Sequence, residues 1–249
     1  MSFTLIISNA DAKIKLLRIL EYLSLCSEDY LNVTRDKNVS NDYLFAYSKI
    51  KQSRKLLRMF FSLWNLRKLL KYRNKDPLKI QKACYYLSKI CGIVFYFLES
   101  ITALLDITKY AARGNEKIKR IRFIFWIIGL ISSNIFSMTY LIHSYGKEAN
   151  LKDVTLEKFK PYEIIQAMND LAEERHQLIL IIVCNFMDLF IGCHYAKLIE
   201  QYLKTRVTNG VLGLVGVACT VLRLVILTNK KIKHKNYDEL FEGKYYGYD

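Results

Sequence analysis

The most restrictive feature of the sequence is a run of 20 residues without a charged side chain, Phe123–Ile142. A helix needs about 20 consecutive apolar residues to cross a hydrocarbon core about 30 Å thick. Trp126 and Tyr140 lie near the two ends of the run, and aromatic side chains often anchor a span at the membrane interface. We therefore expect this segment to span a membrane.

A second apolar segment, Val207–Asn229, has Arg223 as its only charged residue. Gly210, Gly213 and Gly216 follow one another three residues apart, and small residues at such intervals let another helix approach closely. The spacing predicts that these glycines mediate helix packing, within one chain or between copies.

Composition extends this picture to the whole chain. Hydrophobic residues make up 52% of the 249 residues, and only two are prolines. So many apolar residues with so few helix breakers favour helices over strands. We expect an all-α integral membrane protein, with cytosolic amphipathic helices and a membrane-embedded helical bundle of two or more spans.

The net charge of +15 predicts an anionic partner, either nucleic acid or a membrane surface. Residues 1–122 carry 24 Lys/Arg and 10 Asp/Glu, residues 123–222 carry 8 and 9, and residues 223–249 carry 6 and 4. The excess therefore lies outside the most apolar part, which favours a membrane over nucleic acid. Basic flanks stay in the cytosol. A hairpin that crosses at 123–142 and 207–229 satisfies this rule with both termini cytosolic, whereas three or four crossings would place a basic region on the far side.

Three regions follow from these patterns: a cytosolic amphipathic-helix region at 1–76, a membrane-associated and membrane-spanning region at 77–229, and a basic cytosolic tail at 230–249. We expect a helix at 77–113 to lie along the membrane or to dip partly into it, because its uncharged middle is too short to span. The finer expectations are helices at 11–30 and 161–202, a polar linker at 31–42 and a polar loop at 145–161.

A basic amphipathic pattern runs from Lys49 to Lys75 without an acidic residue, Pro or Gly. At about 100° per residue, one helical face is basic and the opposite face is aliphatic and aromatic. Such a helix suits an anionic membrane surface, and an ordinary surface helix packed on a protein core is the alternative. The predicted membrane-binding residues are Lys51, Arg54, Lys55, Leu56, Leu57, Arg58, Phe60, Phe61, Leu63 and Trp64.

Four charged residues interrupt apolar segments: Glu99, Asp106, Asp188 and Arg223. Charges at such positions are costly and often paired. For Arg223 we favour snorkelling toward the nearby interface, with pairing to one of the three carboxylates as the alternative. These four charges would also line a pore if the protein were a channel.

No catalytic or metal-binding pattern is visible. The four histidines are scattered, and none of the six cysteines forms a C-x-x-C pair. We therefore expect no enzyme activity, no cofactor and no metal. Three function classes remain: a membrane-shaping protein, which the basic helix favours; a channel or transporter for small metabolites; and a lipid-modifying enzyme, which the lack of acid/base residues disfavours.

Several stretches in sequence carry a family resemblance. They are Ser53–Arg58, Leu105-Asp106, Tyr110–Gly114, Trp126 with Gly129-Leu130, Asp188-Leu189 and Asn209–Gly216. In this order and spacing the chain resembles the peroxin-eleven family of peroxisomal membrane proteins over nearly its whole length.

The resemblance implies a peroxisomal or glycosomal membrane protein that elongates the membrane and promotes proliferation and fission. It implies self-association into a homo-oligomer and three kinds of protein partner: the peroxisomal membrane-protein import receptor, a fission adaptor and a dynamin-related GTPase. The family's membrane-bending helix corresponds to Lys49–Lys75.

Overall fold

A computed structural model describes residues 10–33, 37–58, 61–71, 79–107, 115–154 and 161–232. Helices fill nearly all of these ranges, and the described residues contain no β-strand, which confirms the all-α prediction. The helices are α1 (Ala10–Val33), α2 (Lys37–Leu57), α3 (Phe61–Lys71), α4 (Lys79–Ile107), α5 (Asn115–Val154), α6 (Pro161–Tyr195), α7 (Leu198–Leu203) and α8 (Asn209–Ile232).

The basic segment 49–75 is not one continuous helix, contrary to our expectation. Helix α2 ends at Leu57 and α3 begins at Phe61. The Arg58 N–H donates to the carbonyls of both Arg54 and Lys55, and the Phe61 N–H donates to the Arg58 carbonyl at 2.9 Å. Neither Pro nor Gly causes this turn, so tertiary contacts of Arg58 and Phe61 decide it. The remainder of the segment, 72–75, lies outside the described residues.

Three other boundaries differ from the sequence prediction. The expected linker 31–42 is helical from Lys37, because α2 packs along α1. The expected loop 145–161 is helical up to Val154, where Glu148 forms an ion pair with Arg175 of α6. The expected helix 161–202 ends at Tyr195, and Lys197 beyond it has a positive φ of 60°.

The helices form one bundle in which sequence neighbours pack as antiparallel pairs. Helices α4 and α5 face each other, with Phe95 stacked on Trp126 and Tyr85 near Phe136. Helix α6 packs on both α5 and α8, α1 packs on α2 and α8, and α3 packs on α4. The bundle therefore closes around a space bordered by α1, α2, α4, α5, α6 and α8.

Among the described residues, four helices are long and apolar enough to cross a membrane: Lys79–Leu105, Glu116–Gly146, Met168–Tyr195 and Asn209–Thr228. Length and composition thus allow four crossings, and the predicted hairpin uses the second and fourth. Large apolar side chains on these helices face outward, as lipid contact requires. Examples are Ile90, Phe97, Ile128, Ile131, Phe186, Val211 and Leu214.

The three glycines of α8 lie against α1 of the same chain. A Cβ atom at Gly213 would lie 2.8 Å from the Tyr22 carbonyl oxygen and 2.9 Å from the Cys26 Cβ. A Cβ at Gly216 would overlap the Tyr22 ring, and one at Gly210 would press on the Asp29 carboxylate. Only glycine permits this close approach of the two backbones.

Replacing Gly213 with Ala is expected to destabilise the bundle by about 1–3 kcal/mol, because the added methyl group meets backbone that cannot move aside. Thermal unfolding of the purified protein in detergent measures the effect. Gly146→Ala is the matched control: Gly146 is an exposed helical glycine with open space around its Cα. Ala there stabilises a helix by about 0.5–1 kcal/mol. Equal melting temperatures for the two variants would contradict the packing assigned to Gly213.

Candidate functional site: a charged cavity inside the bundle

The first buried ion pair joins α1 to α2. Glu21 is only 1% exposed, and its carboxylate lies 2.6 Å from Arg54 Nε and 3.1 Å from Arg54 Nη2. Glu21 lies on the same face of α1 as Tyr22 and Leu25, which belong to the hydrophobic core. Because a buried carboxylate needs a cation, Glu21 fixes the rotation of α2 about its axis.

The second pair joins the α2–α3 turn to α4. Arg58 Nη2 donates to Glu99 Oε1 at 2.6 Å, and Phe61 packs edge-on against Tyr96 of the same helix. On the other side of Glu99, the Thr102 hydroxyl donates to the Glu99 carbonyl and accepts a bond from Arg122 at 2.9 Å. The turn at Arg58 is therefore explained by two contacts with α4.

The third cluster is centred on Asp188 of α6, which is 2% exposed. Its two carboxylate oxygens bind Arg18 of α1 and Arg223 of α8, the latter at 2.7 Å. Arg223 also donates to the Asn185 side chain at 3.0 Å, and Asn185 donates to Ser133 of α5 at 3.3 Å. One carboxylate thus ties together three helices, with a fourth attached through Asn185.

The preferred snorkelling of Arg223 is therefore wrong, and the alternative pairing with Asp188 is correct. Helix α6 packs on α8, and the Arg223 side chain reaches the Asp188 carboxylate at 2.7 Å instead of extending to the interface. Glu99 is paired as well, with Arg58. The side chain of Asp106 lies outside the described part of the structure.

The predicted basic face points into the bundle, not away from it. Arg54 and Lys55 are each 8% exposed, and Arg58 is held by Glu99. Lys51 donates to the Tyr47 hydroxyl at 2.6 Å and lies 4.8 Å from the Tyr195 ring centroid. For these four residues the structure matches the alternative of a helix packed on a protein core.

The apolar members of the predicted membrane-binding set are divided. Leu57 and Leu63 are exposed, the latter at 62%, whereas Phe61 is half-buried against Tyr96. Phe60 and the side chains of Leu56 and Trp64 are not among the described residues.

The ion pairs surround a cavity of about 430 Å³. Aromatic rings form much of its wall, with Phe95 stacked on Trp126 and Phe123 stacked on Tyr195 at centroid distances of 5.5 and 5.1 Å. Among the described residues that line it, eight are cationic and three are anionic: Lys15, Arg18, Lys51, Arg54, Arg58, Lys89, Arg122 and Arg223 against Glu21, Glu99 and Asp188.

The pKa values of the cavity residues that come from α1, α2 and the α2–α3 turn are shifted by burial and by these contacts. Burial lowers the pKa of Arg58, the Glu99 carboxylate raises it, and the neighbouring Arg54 lowers it again, with a net decrease. Burial also opposes the charge on Arg18, but the Asp188 carboxylate outweighs it and holds the Arg18 pKa above the usual value. Burial raises the pKa of Tyr47. A guanidinium is not deprotonated in proteins, so the arginines stay cationic, and the raised pKa of Tyr47 keeps its hydroxyl neutral.

The cysteines add no second site to this interior. Cys184 and Cys219 lie on facing turns of α6 and α8, and each thiol donates to the other's backbone carbonyl. Across the described residues, no group of three or more His, Cys, Asp or Glu side chains could hold a metal ion.

The sequence analysis did not identify Arg18, Glu21 or Arg122 as functional residues. In the structure they contact Asp188, Arg54 and Thr102, respectively. A signal existed for two of them: Arg18 and Glu21 are three residues apart, next to the core residues Tyr22 and Leu25. Arg122 was counted with the basic connector that precedes the first apolar run.

An apolar exterior on four span-length helices and a charged interior define an all-α integral membrane protein. The model of the family "Peroxisomal biogenesis factor 11 (PEX11)" matches residues 2–226, and the chain belongs to this family. This is the family that the sequence resemblance identified, and it implies a role in the biogenesis of the peroxisomal membrane. Comparisons with curated proteins and with solved structures gave no significant match.

Exchanging Asp188 for Asn is expected to destabilise the fold by about 3–5 kcal/mol, because Arg18 and Arg223 would lose their shared carboxylate while remaining buried. Thermal or denaturant unfolding in detergent measures it. Glu200→Gln is the control, since Glu200 pairs with Arg206 at an exposed site where an ion pair contributes about 0–1 kcal/mol. A loss no larger than that of the control would show that Asp188 does not hold the three helices.

Proposed function

We propose that the protein shapes and elongates the peroxisomal membrane, promoting peroxisome proliferation and fission, and that α3 is the element that enters the lipid leaflet. Family membership supports the organelle and the process. The observation that carries the mechanism is a stripe of exposed leucines on α3: Leu63, Leu66 and Leu70, the last 78% exposed. They lie at positions i, i+3 and i+7, which share one face of a helix.

The opposite face of α3 fixes the helix to the bundle. Phe61 and Asn65 line the cavity, so the leucine stripe points away from it. Arg67 is exposed beside the leucines, where a cation would meet anionic headgroups. An amphipathic helix held in this way would expand one leaflet as a wedge and so favour curvature.

The free energies of the apolar and the electrostatic contribution show which of them drives insertion of α3. Full burial of a leucine side chain is worth roughly 1.5–3 kcal/mol, and a basic residue near an anionic surface about 1 kcal/mol, screened by salt. Three leucines therefore outweigh one arginine even when they are buried only in part. Insertion by α3 should depend weakly on salt.

The family also supports proposals about assembly and topology. The protein would form homo-oligomers, enter the membrane through the peroxisomal membrane-protein import receptor, and recruit a fission adaptor with a dynamin-related GTPase. Both termini would face the cytosol, as the basic flanks of the chain favour.

Replacing Leu63 and Leu70 with Glu is expected to abolish tubulation of liposomes by the purified full-length protein, and peroxisome elongation in cells, because two charges replace the apolar wedge. Electron microscopy of the liposomes provides the measurement. The control is Ser48→Glu with Ser53→Glu, which adds the same charge at exposed polar positions of α2. If the leucine variant tubulates liposomes as well as wild type, α3 is not the wedge.

A channel or transporter for small metabolites is the second candidate, and the charged cavity is the observation that favours it. Conductance across planar bilayers separates the two functions. A pore inside the bundle would conduct equally in wild type and in the Leu63→Glu, Leu70→Glu variant, whereas a protein that only shapes membranes would not conduct.

A further inference from the structure

The segment that joins α6 to α8, residues 196–208, exposes apolar and basic side chains together. It contains the short helix α7, none of whose residues is buried. Tyr202 and Leu203 are 73% and 69% exposed, and every residue from 201 to 206 is exposed. This helix therefore contributes little to the core of the bundle, and its apolar side chains are available to a partner outside it.

The position of this segment in the chain places it at the surface of the bilayer. It begins directly after the span-length part of α6, which ends at Tyr195, and stops directly before that of α8, which begins at Asn209. A short connection between two such helices lies where hydrocarbon meets water, and tyrosine is enriched in that layer.

The start of α5 lies at the same end of the bundle. Arg120 Nη2 donates to Gln201 Oε1 of α7 at 2.7 Å, and Phe123 stacks on Tyr195. If α5 and α8 both cross the bilayer, this shared end agrees with four crossings, because the two-span hairpin would place Arg120 and Gln201 on opposite sides. The beginning of α5 and the α6–α8 connection then face one leaflet together.

Cations outnumber carboxylates on this surface. Residues 115–121 and 196–208 together contain six basic and two acidic residues, a net charge of +4: Lys117, Lys119, Arg120, Lys197, Lys204 and Arg206 against Glu116 and Glu200. The two carboxylates are already paired within the surface, Glu116 with Lys119 and Glu200 with Arg206.

Two carboxylates of α1 also lie at this end, but they face the first turn of α8. Glu28 accepts a hydrogen bond from Asn209, and Asp29 lies beside Gly210. Cations remain in excess even when both are counted, so the charge of the surface complements an anionic partner.

The two lysines that bracket α7 have a backbone conformation that lysine rarely adopts. Lys197 has a φ of 60° and Lys204 a φ of 52°. In this left-handed region the Cβ crowds the carbonyl oxygen, so glycine and asparagine occupy it more readily. Strained residues cluster at functional and ligand-binding sites, and here both of them carry the positive charge.

We propose that α7 and the start of α5 form a docking surface for the headgroups of anionic phospholipids in the leaflet at this end of the bundle. Tyr202 and Leu203 enter the interfacial layer, while Lys117, Lys197 and Lys204 face the phosphate oxygens. The proposal depends on neither function proposed above, because this contact requires neither an α3 wedge nor conductance.

The experiment uses the full chain in liposomes that contain equal amounts of phosphatidylglycerol and phosphatidylcholine with identical acyl chains. A diazirine-bearing leucine analogue replaces Leu203 alone, and mass spectrometry identifies the adducts after illumination. We expect lipid adducts in which phosphatidylglycerol exceeds phosphatidylcholine about fivefold or more, as one basic residue at an anionic surface would already produce.

The matched control places the same analogue at Leu214, an exposed residue inside the span of α8. Acyl chains surround that position, so the two lipids should react there in their molar ratio. The proposal would be overturned by no lipid adduct at 203, by adducts to a second copy of the chain instead of lipid, or by equal lipid ratios at 203 and 214.

The charge requirement is tested with Lys197→Asn and Lys204→Asn together in the chain that carries the analogue at 203. Asparagine adopts the left-handed conformation readily, so the backbone around α7 is retained while two charges are lost. The lipid ratio at 203 should fall toward one. Lys13→Asn with Lys79→Asn makes the same charge change at exposed positions in the first turns of α1 and α4, and should leave the ratio within about twofold of wild type. Equal losses in the two variants would count against the surface.

Ionic strength gives a second test on the chain with unchanged lysines, should the asparagine variant not fold. Raising the salt from about 0.1 M to about 1 M shortens the Debye length from about 10 Å to about 3 Å. The lipid preference at 203 should then fall toward the ratio at 214, whereas the adducts themselves persist because Tyr202 and Leu203 stay in the interfacial layer. A preference that salt does not change would contradict recognition by charge.

Discussion

The shared carboxylate of Asp188 is the interaction on which the arrangement of the helices depends. Apolar helices in a bilayer gain little from associating, because lipid tails are as apolar as their own side chains. Polar contacts and close packing must therefore choose their neighbours. Asp188 attaches Arg18 and Arg223 to α6, and the α8 glycines then let α1 approach until its backbone touches α8. Glu21 and Glu99, each with its own arginine, add α2 and α4 to the same interior.

This interior also determines what the basic part of the chain can do. Moving α2 onto a membrane surface would break the Glu21–Arg54 and Arg58–Glu99 pairs, at a cost of about 3–5 kcal/mol for each buried partner left behind. An anionic surface returns about 1 kcal/mol per basic residue, so four residues do not offset two broken pairs. The balance keeps α2 in the bundle, and in the proposed function membrane contact falls to exposed apolar side chains such as Leu63 and Leu70.

Sequence patterns predicted the helices but not the direction in which their polar faces point. The uncharged run 123–142 and the glycine spacing of α8 depend on local composition, so the all-α fold was accessible from the sequence. A helical wheel assigns Arg54, Lys55 and Arg58 to one face, but the wheel cannot tell water or lipid from buried carboxylates. To make that distinction, one must know that Glu21 and Glu99 pack against this face. In the sequence they are 33 and 41 residues from their arginine partners. The turn at Arg58 could not be predicted from the sequence either. It depends on contacts with Glu99 and Tyr96, and no Pro or Gly marks its position.

The buried ion pairs also affect what the distribution of basic residues indicates about membrane topology. The surplus in residues 1–122 includes Arg18, Arg54, Arg58 and Arg122, which are held inside the bundle by carboxylate or hydroxyl partners. The positive-inside bias acts on loops near the membrane surface, so these four should not be counted in it. In the connector before the first apolar run, Lys117 and Arg120 remain exposed. Fewer cations than the raw sequence suggests thus favour a cytosolic connector, and four crossings compete more evenly with the two-span hairpin.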